Sequence, residues 1–183
     1  MGKDFFMIIL SVDQGIAHFG YAVLDISNNK TNLITYGCFL STIKKKHPVT
    51  QQRRMFELMS KFEDLIIQYQ PNCIIHERLF FSPPAKNTRK KSASILNTNM
   101  ITGSIWYIAG KHNVDVYQYS PQTVKKTLTG NGRAEKDTII KQIESMFNVE
   151  CLKTHKEHIC DAISIGLTHI NKTNNGDDAE EEV

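Results

Sequence analysis

The sequence predicts an α/β fold, a five-stranded mixed sheet flanked by helices. Three strand-like runs follow one another within the first forty residues, separated only by turns. Two more come later, each preceded by a stretch with helical apolar spacing, which is the pattern of parallel crossovers. Acidic side chains also stand just past the first and fourth of these runs, where strand ends can bring them together.

The run MIILSV at residues 7–12 is continuously apolar and rich in β-branched residues, and it is stopped by Asp13-Gln14-Gly15. It reads as a buried central strand whose carboxyl end delivers Asp13. YAVLDI at 21–26, a turn at Asn28-Asn29-Lys30 and LITYGCFL at 33–40 complete an antiparallel meander. A basic loop at 44–48 follows. Phe56, Met59, Phe62, Leu65 and Ile66 then recur at three- and four-residue steps and mark an amphipathic helix that ends before Pro71.

Cys73, Ile74 and Ile75 form a short fourth strand that presents Glu77, beside a loop carrying Phe80 and Phe81. Residues 83–91, PPAKNTRKK, read as a basic loop. Residues 92–112 read as a helix through Ile95, Met100, Ile101, Ile105 and Ile108. VDVYQY at 114–119 is the fifth strand. Helices are expected at 122–128, 134–147 and about 157–170, and the turn Thr129-Gly130-Asn131-Gly132 is expected to offer backbone amides to a phosphate.

At 183 residues, with 40% hydrophobic and 22% charged residues, the chain suits one globular domain, expected at 1–170. Residues 171–183 have little to bury and read as a disordered acidic tail. The net charge is only +3, but five of the 19 acids lie in the last seven residues, so the folded body is more basic than the total suggests and suits a polyanionic partner. Cys38, Cys73, Cys151 and Cys160 lack the spacing of a metal site or disulfide framework and read as reduced thiols. No apolar run is long enough to cross a membrane and no signal-peptide pattern is present, so a cytoplasmic protein is expected.

Asp13 ends the first strand and Glu77 the fourth, and His158 and Asp161 lie three residues apart on one face of the last helix. Taken singly, Asp13 suits a strand-ending turn, Glu77 a surface acid and Asp161 a helix ion pair. Together they could converge on one sheet edge. Hydrolysis of a phosphodiester needs an activated water and a neutralised leaving oxygen, which two hard cations about 4 Å apart supply together. Carboxylates are their natural ligands.

Four ordered motifs carry a resemblance: MIILSVDQG, IIHERLFF, YSPQTVKKTLTGNGRAEKDTI and EHICDAISIGLTH. From about Met7 to Ile170 the chain resembles the RuvC-type Holliday-junction resolvases, and most closely those of poxviruses. The resemblance implies an RNase H-like fold, a homodimer, and metal ligation by Asp13, Glu77, His158 and Asp161, with Mg2+ the expected ion, two per site, and Mn2+ a substitute. It places Lys125 and Lys136 beside the scissile phosphate and Phe80 on bases at the crossover. Lys86, Arg89, Lys90 and Lys91, with residues 44–46, would contact phosphates of the junction arms.

The implied activity is a structure-selective endonuclease that resolves four-way and related branched DNA by paired nicks, leaving 5′-phosphate and 3′-hydroxyl ends. In a poxvirus setting it would act on concatemers in cytoplasmic viral factories. Three alternatives stay open on the residues: another RNase H-fold nuclease such as one cutting RNA–DNA hybrids, a non-catalytic junction-binding module, and an actin-like phosphotransferase, for which the chain is short. Two residues depart from the bacterial pattern. Gln14 replaces a proline, which is expected to be neutral, and His158 replaces an aspartate, which alters the charge of the site.

Overall fold

The computed structural model describes residues 6–27, 30–41, 50–78, 89–147 and 155–176, with only the backbone path for 89–97. Its elements run β1 (Phe6–Asp13), β2 (His18–Ser27), β3 (Lys30–Leu40), α1 (Thr50–Tyr69), β4 (Cys73–Glu77), α2 (Arg89–Lys111), β5 (Asp115–Tyr119), α3 (Pro121–Thr129), α4 (Lys136–Phe147) and α5 (Lys156–Asn174). The strands form one sheet in the order β3-β2-β1-β4-β5. β2 is antiparallel to both β1 and β3, whereas β4 is parallel to β1 and to β5. The mixed sheet is as expected. Helices α1 and α2 make the two crossovers, because a parallel neighbour cannot be reached by a tight turn.

β1 is central and apolar on both faces because both are covered. Ile9 joins one core with Ile75, Tyr119, Val124, Ile143 and the long buried run of α5. Leu10 and Val12 join a second core with Phe19, Phe62, Ile74, Ile101 and Ile105, capped by α1 and α2. Helix α5 lies so close to the sheet that a side chain at Gly166 would meet Leu24 and Ser11, and one at Gly20 would meet the His158 carbonyl. Close approach, not a turn, is what these glycines provide.

Several boundaries and faces differ from expectation. Phe56 is 75% exposed, because it lies six residues, and so about 120° of helix rotation, from Phe62 at the centre of the buried stripe. Met100 is exposed for the same reason, one position out of phase with Ile101, Ile105 and Ile108. Arg89, Lys90 and Lys91 open helix α2 instead of closing a loop, and Lys30 begins β3 instead of ending the turn. Helix α5 continues through Asn174, so the expected tail loses its first residues to the helix. Residues 177–183 lie outside the described residues. Cys38, Cys73 and Cys160 are free thiols, the last two buried. No described helix is long and apolar enough to cross a membrane.

Candidate active site

The last main-chain pairing between β1 and β4 joins Val12 to His76, so Asp13 and Glu77 stand side by side at the carboxyl ends of adjacent parallel strands. Open α/β sheets present their ligand sites at such an edge. Helix α5 begins beside it and contributes His158 and Asp161 from one face, as their spacing requires. The imidazole of His158 donates from Nδ1 to Asp13 Oδ2 at 2.6 Å, since a carboxylate offers only acceptors. Lys136, the first residue of α4, is 2.9 Å from Asp161 Oδ2 and 2.9 Å from Glu157 Oε2. Glu77, Lys125, Lys136 and Asp161 line a common cavity of about 190 Å3, together with Val124 and Ser164.

The electrostatics show how closely these groups are gathered. Burial, then the charges of Asp13 and Asp161, push the Glu77 carboxyl up to about 7, against the opposing pull of Lys136 and Lys125. Burial also raises Asp161, while its bond to Lys136 holds it down. The bond to Asp13 raises His158 above the usual histidine range, against its burial. Three carboxylates thus repel one another in a partly desolvated site, with the ammoniums of Lys136 and Lys125 and the imidazole of His158 as counter-charges.

Among the described residues, no three Asp, Glu, His or Cys side chains are gathered into ready-made metal-binding geometry. His158 engages Asp13 and Lys136 engages Asp161, so the carboxylates face protein cations. The donor set still fits a hard divalent ion: it is mostly carboxylate oxygen, the charges of Asp13 and Asp161 bear on Glu77, and the buried hydroxyl of Ser164 has no hydrogen-bond partner among the described residues. A cation at this edge would relieve the repulsion that raises Glu77.

Some expected contributors are elsewhere. Phe80, Lys86 and residues 44–46 lie outside the described residues, and only the backbone of Arg89, Lys90 and Lys91 is described. The turn after α3 takes up most of its amides itself: Gly130 N–H donates to Lys126, Asn131 N–H to Thr129 Oγ1, Arg133 N–H to Asn131 Oδ1 and Ala134 N–H to Asn131. Sequence reasoning missed His18, whose ring stacks on His158 at 4.9 Å and lies 4.8 Å from His155. Nothing in its local pattern marks it; it follows only once Asp13 is paired with Gly20.

A model of the family "Crossover junction endodeoxyribonuclease RuvC" matches residues 9–169. The chain belongs to the RuvC family. RuvC of Alkaliphilus metalliredigens is 31% identical over 163 residues, which cover 89% of this chain and 92% of that protein. The structure of Thermus thermophilus RuvC in complex with Holliday junction substrate superposes with a TM-score of 0.77 at 22% identity, covering 93% of this chain and 97% of that one. The Fowlpox virus resolvase, solved with substrate Holliday junction DNA, gives 0.55 at 20% identity, over 91% and 99% of the two chains. The RNase H-like fold is therefore as expected, and by superposition it lies nearer the Thermus RuvC than the fowlpox enzyme. RuvC enzymes are metal-dependent nucleases, which accords with the carboxylate edge.

Proposed function

We propose that this RuvC-family chain is a dimeric endonuclease that resolves four-way DNA junctions by one metal-dependent nick per subunit, leaving 5′-phosphate and 3′-hydroxyl ends. The observation that supports it best is the convergence of Asp13, Glu77, His158 and Asp161 at one sheet edge, within the fold that RuvC and the fowlpox resolvase share. In this reading Asp13, Glu77, Asp161 and the Nε2 of His158 hold Mg2+, two ions per site, with Mn2+ able to replace it. When bound, the metal supplies an activated water and charge neutralisation at the leaving oxygen.

The remaining work belongs to the chain itself. His158 holds Asp13 through Nδ1–H and so sets the angle of that carboxylate. Lys136, held by Asp161 and Glu157, keeps a fixed positive charge at the mouth of the cavity, and Lys125 adds another beside Glu77, where anionic charge grows during phosphoryl transfer. Phe80 stacks on bases at the crossover, a task open to any exposed ring. Lys86, Arg89, Lys90 and Lys91 contact the arms and make affinity salt-dependent without sequence preference.

A single domain spans residues 1–170, with α5 running a little further, and two such domains pair along α2 to place two sites on a two-fold substrate. The motif resemblance to poxvirus resolvases supports a narrower setting, cytoplasmic resolution of concatemeric viral DNA. Cleavage of a cruciform made from inverted-repeat ends compares that setting with general junction cutting. The deciding assay incubates the protein with a labelled four-way junction, a matched linear duplex and an RNA–DNA hybrid, with and without Mg2+. Symmetric, ligatable nicks in the junction alone are expected; equal cutting of junction and duplex, or preference for the hybrid, would sink the proposal.

A further inference from the structure

The edge that carries Asp13 and Glu77 is fastened from behind by side chains with no place in the chemistry above. Main-chain pairing of β1 with β4 stops at Val12 and His76, one residue short of the two acids. Beyond that point the side chain of Gln14, only 5% exposed, takes over. Its Nε2 donates to the Glu77 carbonyl at 2.6 Å, and its Oε1 accepts from the Glu77 N–H at 3.3 Å. One amide group thereby imitates a backbone bridge and ties the end of β1 to Glu77.

The same carbonyl lies 2.9 Å from Nδ1 of fully buried His76, whose Nε2 is 3.0 Å from Nε1 of Trp106 on α2. An indole N–H can only donate, so His76 Nε2 must be the acceptor. The imidazole proton then sits on Nδ1 and is donated to the Glu77 carbonyl. The hydrogen bonds therefore run in one sense, from Trp106 to His76 to Glu77, and meet the donor of Gln14 on the same oxygen. Trp106 is half exposed, so this chain of contacts reaches from the outer face of α2 to the site.

We infer that Gln14, His76 and Trp106 are positioning residues that hold the Glu77 backbone so that its carboxylate faces Asp13 and Asp161. The inference rests on Glu77 being a metal ligand. It also reverses the expectation that Gln14 is a neutral replacement: the glutamine supplies a fastening that a proline there, without an amide side chain, could not.

The test uses the full-length protein with Gln14→Met, which keeps side-chain length but has no amide, and Trp106→Phe, which keeps a ring but has no N–H. Three quantities are read: kcat and KM for nicking a four-way junction, Mn2+ affinity of the DNA-free protein by calorimetry, and junction affinity in EDTA. A displacement of about 1 Å at a reacting group can cost about 100-fold in rate. Gln14→Met is expected to lower kcat by about tenfold or more and to weaken Mn2+ binding several-fold, with KM and junction affinity within about twofold of wild type. Trp106→Phe is expected to move the same two quantities in the same direction by about threefold, being one bond further from Glu77.

Wild-type kcat and Mn2+ affinity in Gln14→Met overturn the inference. So does a parallel fall in junction affinity and melting temperature, since that is a loss of packing and not of positioning. Glu77→Gln is measured alongside. If it nicks normally, the reading of the site fails and the brace loses its purpose; if it is inert while Gln14→Met is unaffected, the brace alone is removed.

Discussion

The two faces of the sheet are finished to different standards. On one side helix α5 is buried from Ile159 to Ile170 apart from Asp161, and is seated so closely that Gly20 and Gly166 have no room for a side chain. On the other side α1 and α2 bury only a stripe each. Phe56 and Tyr107 are 75% exposed and Met100 and Trp106 about half, and Phe56, Met100 and Tyr107 border a groove of about 910 Å3 between the two helices. A helix that is buried nearly all round cannot shift without opening the core. That is the helix carrying His158 and Asp161, so ligand geometry is bought with packing density, while the face left apolar is the one proposed to meet a second subunit.

The sharpest break of this contrast is at the acids themselves. Asp13→Asn, Glu77→Gln and Asp161→Asn are each expected to lower single-turnover nicking by at least about 1,000-fold while junction affinity holds, because each removes charge at the edge and leaves the basic surface intact. A variant that nicks at the wild-type rate takes its residue out of the site.

Next comes the seating of α5. In Gly20→Val the new side chain meets the His158 carbonyl, so the first turn of the helix must move away from β2 and carry His158 off Asp13. Overpacking of this kind costs about 1 to 3 kcal/mol. Thermal unfolding should show that loss, and nicking should fall by about tenfold or more beyond what the unfolded fraction explains. Unchanged stability with unchanged nicking would mean that the close approach is not needed.

The opposite face should behave in the opposite way. Tyr107→Lys replaces an exposed ring on α2, so the stability of the single subunit should change by no more than about 0.5 kcal/mol. Sedimentation should nonetheless report a shift from dimer toward monomer. A stable dimer in this variant moves the subunit contact away from the exposed apolar face.

Much of this was legible in the chain. β-branched runs and their order define the sheet, and the three-residue step between His158 and Asp161 places both on one face of α5. Apolar periodicity located α1 but admitted Phe56, because a three-residue step fits either edge of a stripe and only the packed sheet decides its phase. Gln14 was visible as a departure, yet its partner is the backbone of Glu77, 63 residues away, and a side-chain bond to a distant backbone leaves no periodic trace. In the turn after α3 most amides are engaged locally for a related reason: Thr129 and Asn131 accept from their own loop, and that choice between local and foreign acceptors is made by geometry.

The smallest change in nicking is expected of His158→Asp, and set against His158→Ala it assigns the imidazole. Its Nδ1–H is committed to Asp13, so only Nε2 is free to meet a metal, and a proton on Nε2 would block it. The same bond raises the imidazole above its ordinary range, so at neutral pH the metal must compete with a proton. Glu77, pushed up to about 7, must lose its proton in the same interval. Both raised groups favour the protonated, metal-free fold, and that contribution fades as pH rises through their folded values. Nicking has the reverse slope and should fall as pH drops below about 7, more steeply when metal is limiting. Imidazole suits Mn2+ better than Mg2+. His158→Asp should therefore keep Mg2+-dependent nicking within about threefold at pH 8 and reduce any advantage of Mn2+, whereas His158→Ala should lose nicking and keep junction binding. Rates measured in both metals across pH 6 to 8 separate these outcomes. If His158→Ala nicks as fast as wild type in both, the imidazole is no ligand, and the site consists of the three carboxylates with His158 as a dispensable neighbour of Asp13.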